Sequence, residues 1–383
     1  MFCAKAFFDY FSTRNLLELF RSQFYIFSMS LKKLTLLLFI ISFSLPGLSN
    51  NGYKLWLQYH PIEKSQLKDS YLKNLGGYRI VGTSPSLEVA VKEIQTAYDG
   101  FFGQSLKEVK NIGHNTLLLG AKADLPREIT SALQKEFDQI NSEGFIIKRM
   151  PHKGQTITVI TGNSAVGVLY GTFRFLNEMQ QHKDISKINI VDSPKIQKRL
   201  LNHWDNLDRT IERGYAGFSI WDWHLLPELI KPEYIDYARA NASIGINGTV
   251  LTNVNSNALI ITPQYIEKAK ALADVLRPYG IQIYLTARFS APIELGDLKT
   301  ADPLDPEVQK WWKNKADEIY AQIPDFGGFL VKANSEGQPG PLNYNRSHAE
   351  GANMLADAVA PHNGIVMWRA FVYSEEDPED RAK

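Results

Sequence analysis

Four glycine-led apolar runs in the second half of the chain constrain its fold more than any other feature of the sequence. The runs begin at Gly245, Gly280, Gly327 and Gly364, and each follows a stretch with helical periodicity. Glycine is the usual residue just past a helix end, and an unbroken apolar run is typical of a parallel strand that is buried on both faces. The sequence therefore predicts successive helix–strand units, preceded by a first strand at residues 199–204.

Two architectures suit such a repeat, an open doubly wound sheet and a (β/α)8 barrel. We favour the barrel, because polar and aromatic residues follow each predicted strand directly, at the end where barrels build their active sites. A complete barrel takes about 250 residues, whereas residues 198–383 provide five predicted strands. The expected fold class is therefore α/β, with a TIM barrel that is truncated after about five strands. We accordingly expect the sequence as given to be incomplete.

Residues 53–195 carry a different pattern, in which strands and helices mix without a regular repeat. The predicted elements are a helix over 87–102, a buried strand from Thr116, a hairpin whose strands begin at Gly144 and Gln155 and which turns through Pro151 and Gly154, and a helix over 165–178. This pattern predicts a small mixed α/β domain that precedes the barrel. Its residues show no catalytic spacing, so we expect the chemistry to lie in residues 198–383.

The first fifty residues have the character of a leader. From Met29 the chain reads Met-Ser-Leu-Lys-Lys, followed by an apolar run from Leu34 to Leu45 and a small polar exit. This order of segments predicts a secretory signal peptide and hence a secreted or periplasmic protein. A transmembrane anchor is the alternative, but the run is shorter than the roughly 20 apolar residues that a span needs. We therefore expect no stable membrane insertion after signal removal, and we interpret residues 1–28 as an over-extended gene start.

Composition and charge exclude several classes of function. The chain has 42 basic and 41 acidic residues, for a net charge of +1, and so lacks the basic surplus that binding to a phosphate backbone requires. We expect no nucleic-acid partner. Cys3 is the only cysteine, which excludes an internal disulfide and a cysteine metal cluster. The sequence contains no phosphate-binding glycine loop, no His-x-x-x-His pair and no nucleophile elbow, and we expect neither a metal nor a cofactor.

Polar and aromatic side chains follow all five predicted strands. In strand order, these residues are His203, Trp204, Asp205, Asn206, Asp208 and Arg209; Asn253, Val254 and Asn255; Arg288; Lys332, Asn334 and Glu336; and Trp368 and Arg369. The carboxyl ends of the strands meet at one mouth of a barrel, and this mouth is where the active sites of such folds lie. We therefore expect the five groups to come together there.

Glu336 is the strongest candidate for catalysis. Gly337 and Gly340 flank it, so a turn is expected to present its carboxyl group at the barrel mouth, where it could protonate a departing glycosidic oxygen. A solvated loop glutamate is the alternative. Lys332 and Arg369 suit an anionic substrate, because arginine can hold a carboxylate through two parallel hydrogen bonds. Salt-bridge partners or solvated rim residues are the alternative for these two cations.

The tryptophans near the predicted strand ends have two interpretations. Trp204 is either a hydrophobic plug or a surface on which a sugar ring stacks, and we favour stacking because the C–H groups of a pyranose pack against aromatic faces. Trp221 and Trp223 are separated by a single aspartate. For at least one of this pair we favour packing in the core or at the rim.

Several stretches of the chain resemble the α-glucuronidases of glycoside hydrolase family 67. The stretches are Leu201-Asn-His-Trp-Asp-Asn-Leu-Asp, Gly248-Thr-Val-Leu-Thr-Asn-Val-Asn, Ser290-Ala-Pro-Ile-Glu-Leu-Gly, Thr300-Ala-Asp-Pro-Leu-Asp-Pro, Gly328-Phe-Leu-Val-Lys-Ala-Asn-Ser-Glu-Gly-Gln-Pro-Gly-Pro and Met367-Trp-Arg-Ala-Phe-Val-Tyr. Long matches in chain order are specific. The resemblance extends from about residue 53 to the C-terminus.

This resemblance implies an inverting enzyme of xylan degradation. The enzyme would cleave the α-1,2 bond between (4-O-methyl)glucuronic acid and xylose in oligosaccharides derived from glucuronoxylan. Glu336 matches the general acid, and Lys332 and Arg369 match residues that hold the uronic carboxylate. Trp204 matches an aromatic wall of the sugar pocket, and Val254 lies where the family accommodates the 4-O-methyl group.

The family's general base lies further along, after strands six and seven, so we expect it beyond Lys383. An inverting mechanism needs this second carboxylate roughly 6.5–9.5 Å from the acid. The chain is therefore interpreted as part of an α-glucuronidase or, alternatively, as an inactive or carbohydrate-binding remnant that lacks the base. A related glycosidase that acts on hexosamines has the same domain plan, but a neutral sugar offers no carboxylate to Lys332 and Arg369. The sequence is also compatible with a homodimer.

Overall fold

A computed structural model describes residues 51–369 and Arg21. The predicted signal peptide from Met29 and the acidic tail from Glu375 lie outside the described residues. The chain divides into two compact units, Met1–Leu55 and Trp56–Lys383, and all the elements below belong to the second. Among the residues with a described structure, no helix is both long and apolar enough to cross a membrane.

The first of two five-stranded sheets occupies the part of the chain from Gly77 to Asp192. Its strands are β1 (Gly77–Ile80), β2 (Thr116–Ala121), β3 (Phe145–His152), β4 (Gln155–Gly162) and β5 (Asn189–Asp192). The helices of this part are α1 (Ser65–Asn74), α2 (Pro85–Phe102), α3 (Arg127–Ala132), α4 (Gln134–Phe137) and α5 (Ala165–Gln180). The strand order is β1-β2-β4-β3-β5, and β3 runs antiparallel to both of its neighbours.

Local signals explain the elements of this sheet. Helix α2 begins after Ser84, whose hydroxyl accepts a hydrogen bond from the backbone N–H of Ser86 at 3.2 Å, and ends at Gly103 in the left-handed conformation. The hairpin of β3 and β4 turns at Lys153 and Gly154, which have φ values of 47° and 76°. The prediction that this turn involves Pro151 was wrong. Pro151 lies within β3, because a tight turn of this kind needs positive φ at both central residues and proline cannot supply it.

The second sheet consists of five parallel strands, as the sequence predicts. They are β6 (Leu200–Asn202), β7 (Gly248–Val250), β8 (Gln282–Thr286), β9 (Gly328–Lys332) and β10 (Ile365–Arg369). The helices between them are α6 (Pro232–Ala242), α7 (Pro263–Leu276), α8 (Ala291–Gly296), α9 (Pro306–Gln322) and α10 (His348–Val359), and short 3-10 helices lie at Ala258–Ile261, Arg277–Tyr279, Pro341–Tyr344 and Ala360–His362. Neighbours in this sheet are consecutive in sequence. A doubly wound sheet would reverse its strand order, so this alternative does not fit.

The second sheet is curled into a half-barrel. The guanidinium group of Arg369, the last residue of β10, lies 5.7 Å from the centroid of the Trp204 ring, which follows β6 at the opposite edge of the sheet. On the concave side, Tyr284 fills the space that two glycines leave open. A Cβ atom on Gly327 would lie 2.2 Å from Cζ of Tyr284, and one on Gly248 would lie 2.9 Å from its Cε2.

A buried ion pair joins the helices of the two sheets. Arg239 on α6 donates to both carboxylate oxygens of Glu93 on α2, at 2.6 and 2.7 Å. The Tyr59 hydroxyl donates to the same carboxylate at 2.5 Å, and burial raises the pKa of this tyrosine. Trp221 and Trp223 are both buried in the core, which confirms the prediction of packing for at least one of them.

Candidate functional site

Strand register places two cations side by side at the carboxyl ends of β9 and β10. Lys332 and Arg369 are Cα partners across this parallel ladder. Directly paired residues of neighbouring strands lie on the same face of a sheet, because side chains alternate with a period of two. Lys332 is buried, with 3% of its surface exposed, and Arg369 is partly buried. The alternative in which the two residues are solvated rim cations therefore does not apply to Lys332.

A tight turn after β9 presents Glu336. The backbone N–H of Gln338 donates to the carbonyl of Ser335 at 3.0 Å, and Glu336 and Gly337 occupy the turn with φ values of 49° and 75°. A left-handed backbone costs a non-glycine residue about 1–2 kcal/mol, and residues held in such conformations are found disproportionately at functional sites. The side chain of Arg288 donates to Oε1 of Gln338 at 3.1 Å and so ties this turn to β8.

The amide of Asn334 fixes the next part of this loop. Its Nδ2 donates to Oδ1 of Asn343 at 2.9 Å, and its Oδ1 accepts from the backbone N–H of Leu342, also at 2.9 Å. A Cβ on Gly340 would lie 2.2 Å from Oδ1 of Asn334, so this glycine is required for the close approach. The loop that carries Glu336 is thus held from both sides.

Lys332 connects the acid to the loop after β7. Its ammonium group donates to Oε2 of Glu336 and, at 2.7 Å, to Oδ1 of Asn255. Asn255 is oriented in turn by its backbone N–H, which donates to Oδ1 of Asn253 at 2.9 Å. The sequence places both asparagines after the second predicted strand, but the contact of Asn255 with Lys332 was not predicted. The partners of the buried ammonium group therefore include one carboxylate and one amide.

The cations around Glu336 lower its pKa below the usual range of a glutamate. The hydrogen bond from Lys332 is the largest cause, followed by the charge of Lys332; desolvation acts in the opposite direction, and the charges of Arg213 and Arg369 lower the pKa by smaller amounts. A nearby positive charge favours the ionised form of a carboxyl group. The free site therefore holds Glu336 as a carboxylate at neutral pH.

Arg213 is a member of this cluster that sequence reasoning missed. Its Nη2 lies 3.5 Å from Oε2 of Glu336, and its Nε lies 3.8 Å from Oε1 of the neighbouring Glu212. Gly214 and Gly217, with φ values of 94° and 97°, shape the loop that carries it. An arginine followed by two glycines in the long segment after the first strand was the only sequence signal, and such residues are common in solvated loops.

Trp204 and Val254, the two predicted apolar contacts of the sugar, lie in different environments. Trp204 is 36% exposed and lies beneath the Arg369 guanidinium group, so one part of its surface remains open. Val254 is 1% exposed and packs with Val250, Tyr284 and Leu330. Its predicted place beside a methoxy group remains a prediction.

Most other residues at the strand ends form supporting contacts. The His203 Nε2 lies 2.8 Å from the hydroxyl of Tyr237, and Asp205 accepts a hydrogen bond from the hydroxyl of Ser219. Further contacts join Asn206 to Thr210, Asp208 to Thr210, Arg209 to Asp222, Asn253 to Asn206, and Trp368 to His348. These interactions shape the loops that surround the site.

A cavity of about 430 Å³ opens beside the cluster, at the carboxyl ends of β6, β7 and β8. Its walls carry amide, hydroxyl and imidazole groups, which include those of Asn206, Asn253, Asn255, Thr252, Thr286 and His224. Such groups can donate to or accept from sugar hydroxyls. Asn255 lines this cavity and also contacts Lys332, so the cavity and the charged cluster adjoin.

Comparison with known families gives two matches along the chain. The N-terminus of glycosyl hydrolase family 67 matches residues 55–175, and the middle domain of the same family matches residues 178–383. The second match alone covers more than half of the chain, and it contains every residue of the cluster around Glu336.

Curated relatives are similar over most of this chain. A probable alpha-glucuronidase A of Aspergillus terreus is 40% identical over 334 residues, which cover 85% of this chain and 38% of that protein. A probable alpha-glucuronidase A of Aspergillus oryzae is 38% identical over 343 residues, which cover 89% of this chain and 40% of that protein. The alpha-glucuronidase A of Aspergillus tubingensis is 36% identical over 347 residues, which cover 88% of this chain and 40% of that protein. The chain thus spans about two fifths of the length of these relatives. A solved GH138 enzyme targeting pectin rhamnogalacturonan II is 16% identical, with a TM-score of 0.48 over 75% of this chain and 33% of that chain, which is too low to support an argument.

Proposed function

The chain belongs to glycosyl hydrolase family 67, and from this membership we propose that the protein is an α-glucuronidase. Its reaction is the hydrolysis, with inversion, of the α-1,2 bond between (4-O-methyl)glucuronic acid and xylose in oligosaccharides from glucuronoxylan. We propose further that residues 53–195 and 198–383 are separate domains and that β6 to β10 are five strands of a (β/α)8 barrel. A signal peptide from Met29 would direct the protein to the periplasm or out of the cell.

The observation that carries this proposal is the cluster of Glu336 and two cations at the carboxyl ends of two neighbouring strands. Lys332 and Arg369 lie on the same face of the sheet, and Lys332 contacts Glu336 directly. A uronic acid is the sugar whose carboxylate such a pair would bind, because arginine and lysine both donate to carboxylate oxygens and accept nothing. A neutral hexosamine would offer neither cation a carboxylate.

We assign each residue of the site a different role in the reaction. Lys332 and Arg369 hold the uronic carboxylate, and the open part of Trp204 packs against the sugar ring. Glu336 protonates the xylosyl oxygen as the glycosidic bond breaks. A second carboxylate, roughly 6.5–9.5 Å away, activates the water that attacks the anomeric carbon. We assign this second carboxylate to none of the residues that the structure describes.

The experiment is a product analysis of the protein expressed from its complete natural gene. We expect it to release (4-O-methyl)glucuronic acid from aldouronic oligosaccharides, and the first-formed sugar observed by proton NMR should be the β-anomer. Unsubstituted xylo-oligosaccharides and a neutral α-glucosyl analogue are the controls. Release of the α-anomer first would contradict inversion, and activity on the neutral analogue alone would contradict the uronic acid specificity.

A further inference from the structure

We propose that Glu336 delivers its proton from Oε1, and that Arg213 is a positioning residue that fixes this choice together with Lys332. The inference rests on the proposed function, in which Glu336 is the general acid. It goes beyond that function because it assigns the reacting oxygen and adds a residue from a different loop.

Two cations approach the same oxygen of the carboxyl group. The Lys332 ammonium group donates to Oε2 of Glu336, and Nη2 of Arg213 lies 3.5 Å from that same atom. The hydrogen bond from Lys332 and the nearest contact of Arg213 thus both fall on Oε2 rather than on Oε1. The two oxygens therefore have very different surroundings, although they are chemically equivalent in an isolated carboxyl group.

The chemistry of the donors decides where a proton can reside. Ammonium and guanidinium groups have donors and no acceptor, whereas a protonated carboxyl group has one O–H donor and one remaining carbonyl acceptor. A proton on Oε2 would compete for space with two cations, neither of which can accept it. A proton on Oε1 leaves Oε2 as the carbonyl oxygen that accepts from Lys332 and faces the Arg213 guanidinium group. The neutral acid thus keeps both contacts only when Oε1 carries the proton.

Arg213 provides a second constraint on the orientation of the Glu336 carboxyl group, in addition to that from Lys332. Lys332 is buried and fixed to Asn255, so it anchors the carboxyl group from within the sheet. Arg213 approaches from the loop after β6 and is backed by Glu212. A carboxyl group held by a single donor can rotate about its last torsion, which is broad in glutamate. The Lys332 hydrogen bond and the Arg213 charge, which come from different elements, restrict this rotation and keep Oε1 directed away from them.

This assignment specifies the proton-transfer step. As the bond between the anomeric carbon and the xylosyl oxygen breaks, its electron pair passes to that oxygen, which takes the proton from Oε1. The electron pair of the O–H bond stays on Glu336, and Lys332 and Arg213 stabilise the carboxylate that forms. The attacking water adds to the anomeric carbon and gives its proton to the second carboxylate of the proposed mechanism.

The test compares Arg213→Met and Arg213→Lys with Arg79→Met in the protein expressed from its complete gene. Arg79 pairs with Glu108 at 3.2 Å on the first sheet and is the matched control. For Arg213→Met, we expect kcat on xylose-leaving substrates to fall roughly 10-fold or more, a fraction of the roughly 10²–10⁴-fold contribution of general acid catalysis. The nitrophenol of nitrophenyl glucuronide departs with little protonation, so kcat on this substrate should fall less. Arg213→Lys should recover part of the lost kcat, and Arg79→Met should leave kcat on both substrates unchanged.

A second measurement works without turnover. The carboxyl carbon of 13C-labelled Glu336, assigned by its disappearance in Glu336→Gln, should titrate at higher pH in Arg213→Met, because one of the cations that stabilise the carboxylate is gone. An unmoved titration, or equal kinetic losses on both substrates, would overturn the inference. Absence of any uronic acid release by the wild-type protein would instead overturn the proposed function, and the two failures are therefore distinguishable.

Discussion

At the scale of single residues, Glu336 combines a strained backbone with a crowded charge environment. Its φ of 49° is a conformation that asparagine or glycine adopts more readily. Its pKa is lowered by hydrogen bonding to Lys332 and by the charges around it. The sequence predicted the acid and the two cations, because all three lie at predicted strand ends. It could not predict Arg213, which reaches the acid from a loop more than a hundred residues away.

Removal of the acid should affect substrates according to their leaving groups. In the complete protein, Glu336→Ala should slow the release of glucuronic acid from xylose-linked substrates roughly 10²–10⁴-fold. Substrates that release a nitrophenol should lose less, since this leaving group departs without a proton. Steady-state kinetics on both substrates, with Glu336→Gln as the matched variant of similar size, provides the measurement. Similar losses on the two substrates would indicate a structural role.

Substrate binding should reverse the pKa shift of the acid. The cations lower the pKa of Glu336 in the free site, so the protonated form is lost at a lower pH than usual. A bound uronate carboxylate would offset the charges of Lys332 and Arg369 and raise that pKa. The alkaline limb of kcat should therefore lie at higher pH than that of kcat/KM, since these report the bound and free forms.

Arg369→Met gives the matched check of this coupling. It should move the alkaline limb of kcat/KM upward, because one of the charges that favour the carboxylate is removed, and it should weaken binding of uronates. If the alkaline limb of kcat/KM lies at the same pH in the wild type and in Arg369→Met, Arg369 does not influence the pKa of Glu336.

At the scale of elements, register and close packing place the site. The sequence predicted all five strands of the second sheet, four of them because an apolar run begins at a glycine that follows a helical stretch. The choice of a barrel over an open sheet also predicted that this sheet curls, but not the contact of Arg369 with Trp204, which joins the two edges of the sheet and depends on strand twist and interior packing. Tyr284 is part of that packing, and it lies against Gly327 and Gly248.

Gly327→Ala should therefore destabilise the half-barrel. The added methyl would lie 2.2 Å from Cζ of the fully buried Tyr284, and overpacking of this kind costs about 1–3 kcal/mol. Urea unfolding monitored by circular dichroism measures the loss. Gly113→Ala is the control, because its new Cβ would approach other atoms no closer than 3.5 Å. A double variant with Tyr284→Leu should cost less than the sum of its single changes.

At the scale of the whole molecule, the two sheets are joined by the buried pair of Glu93 and Arg239. Hydrophobic periodicity predicts each sheet separately but contains no information about which helices face each other, so this connection was not predicted. Glu93 is 4% exposed and depends on Arg239 and Tyr59 for its hydrogen bonds.

Arg239→Met should leave the Glu93 carboxylate buried without its cation, which costs about 3–5 kcal/mol. The double variant Glu93→Gln with Arg239→Met should recover a large part of this loss, because no unpaired charge remains. Thermal unfolding of the four proteins measures the difference. Equal stability of the Arg239→Met protein and the wild type would mean that the pair contributes little to the connection.

The contact between Arg369 and Trp204 also gives the site its own optical reporter. The chain has seven tryptophans, and Trp204 is the most exposed of them. Its indole lies 5.7 Å from a guanidinium group that the proposed substrate would engage. Any ligand that displaces this cation changes the electric field at the indole, and the emission of Trp204 should change in wavelength or intensity. Acrylamide quenching, with Trp204→Phe as the blank, would then follow occupancy of the site in real time without a chromogenic substrate.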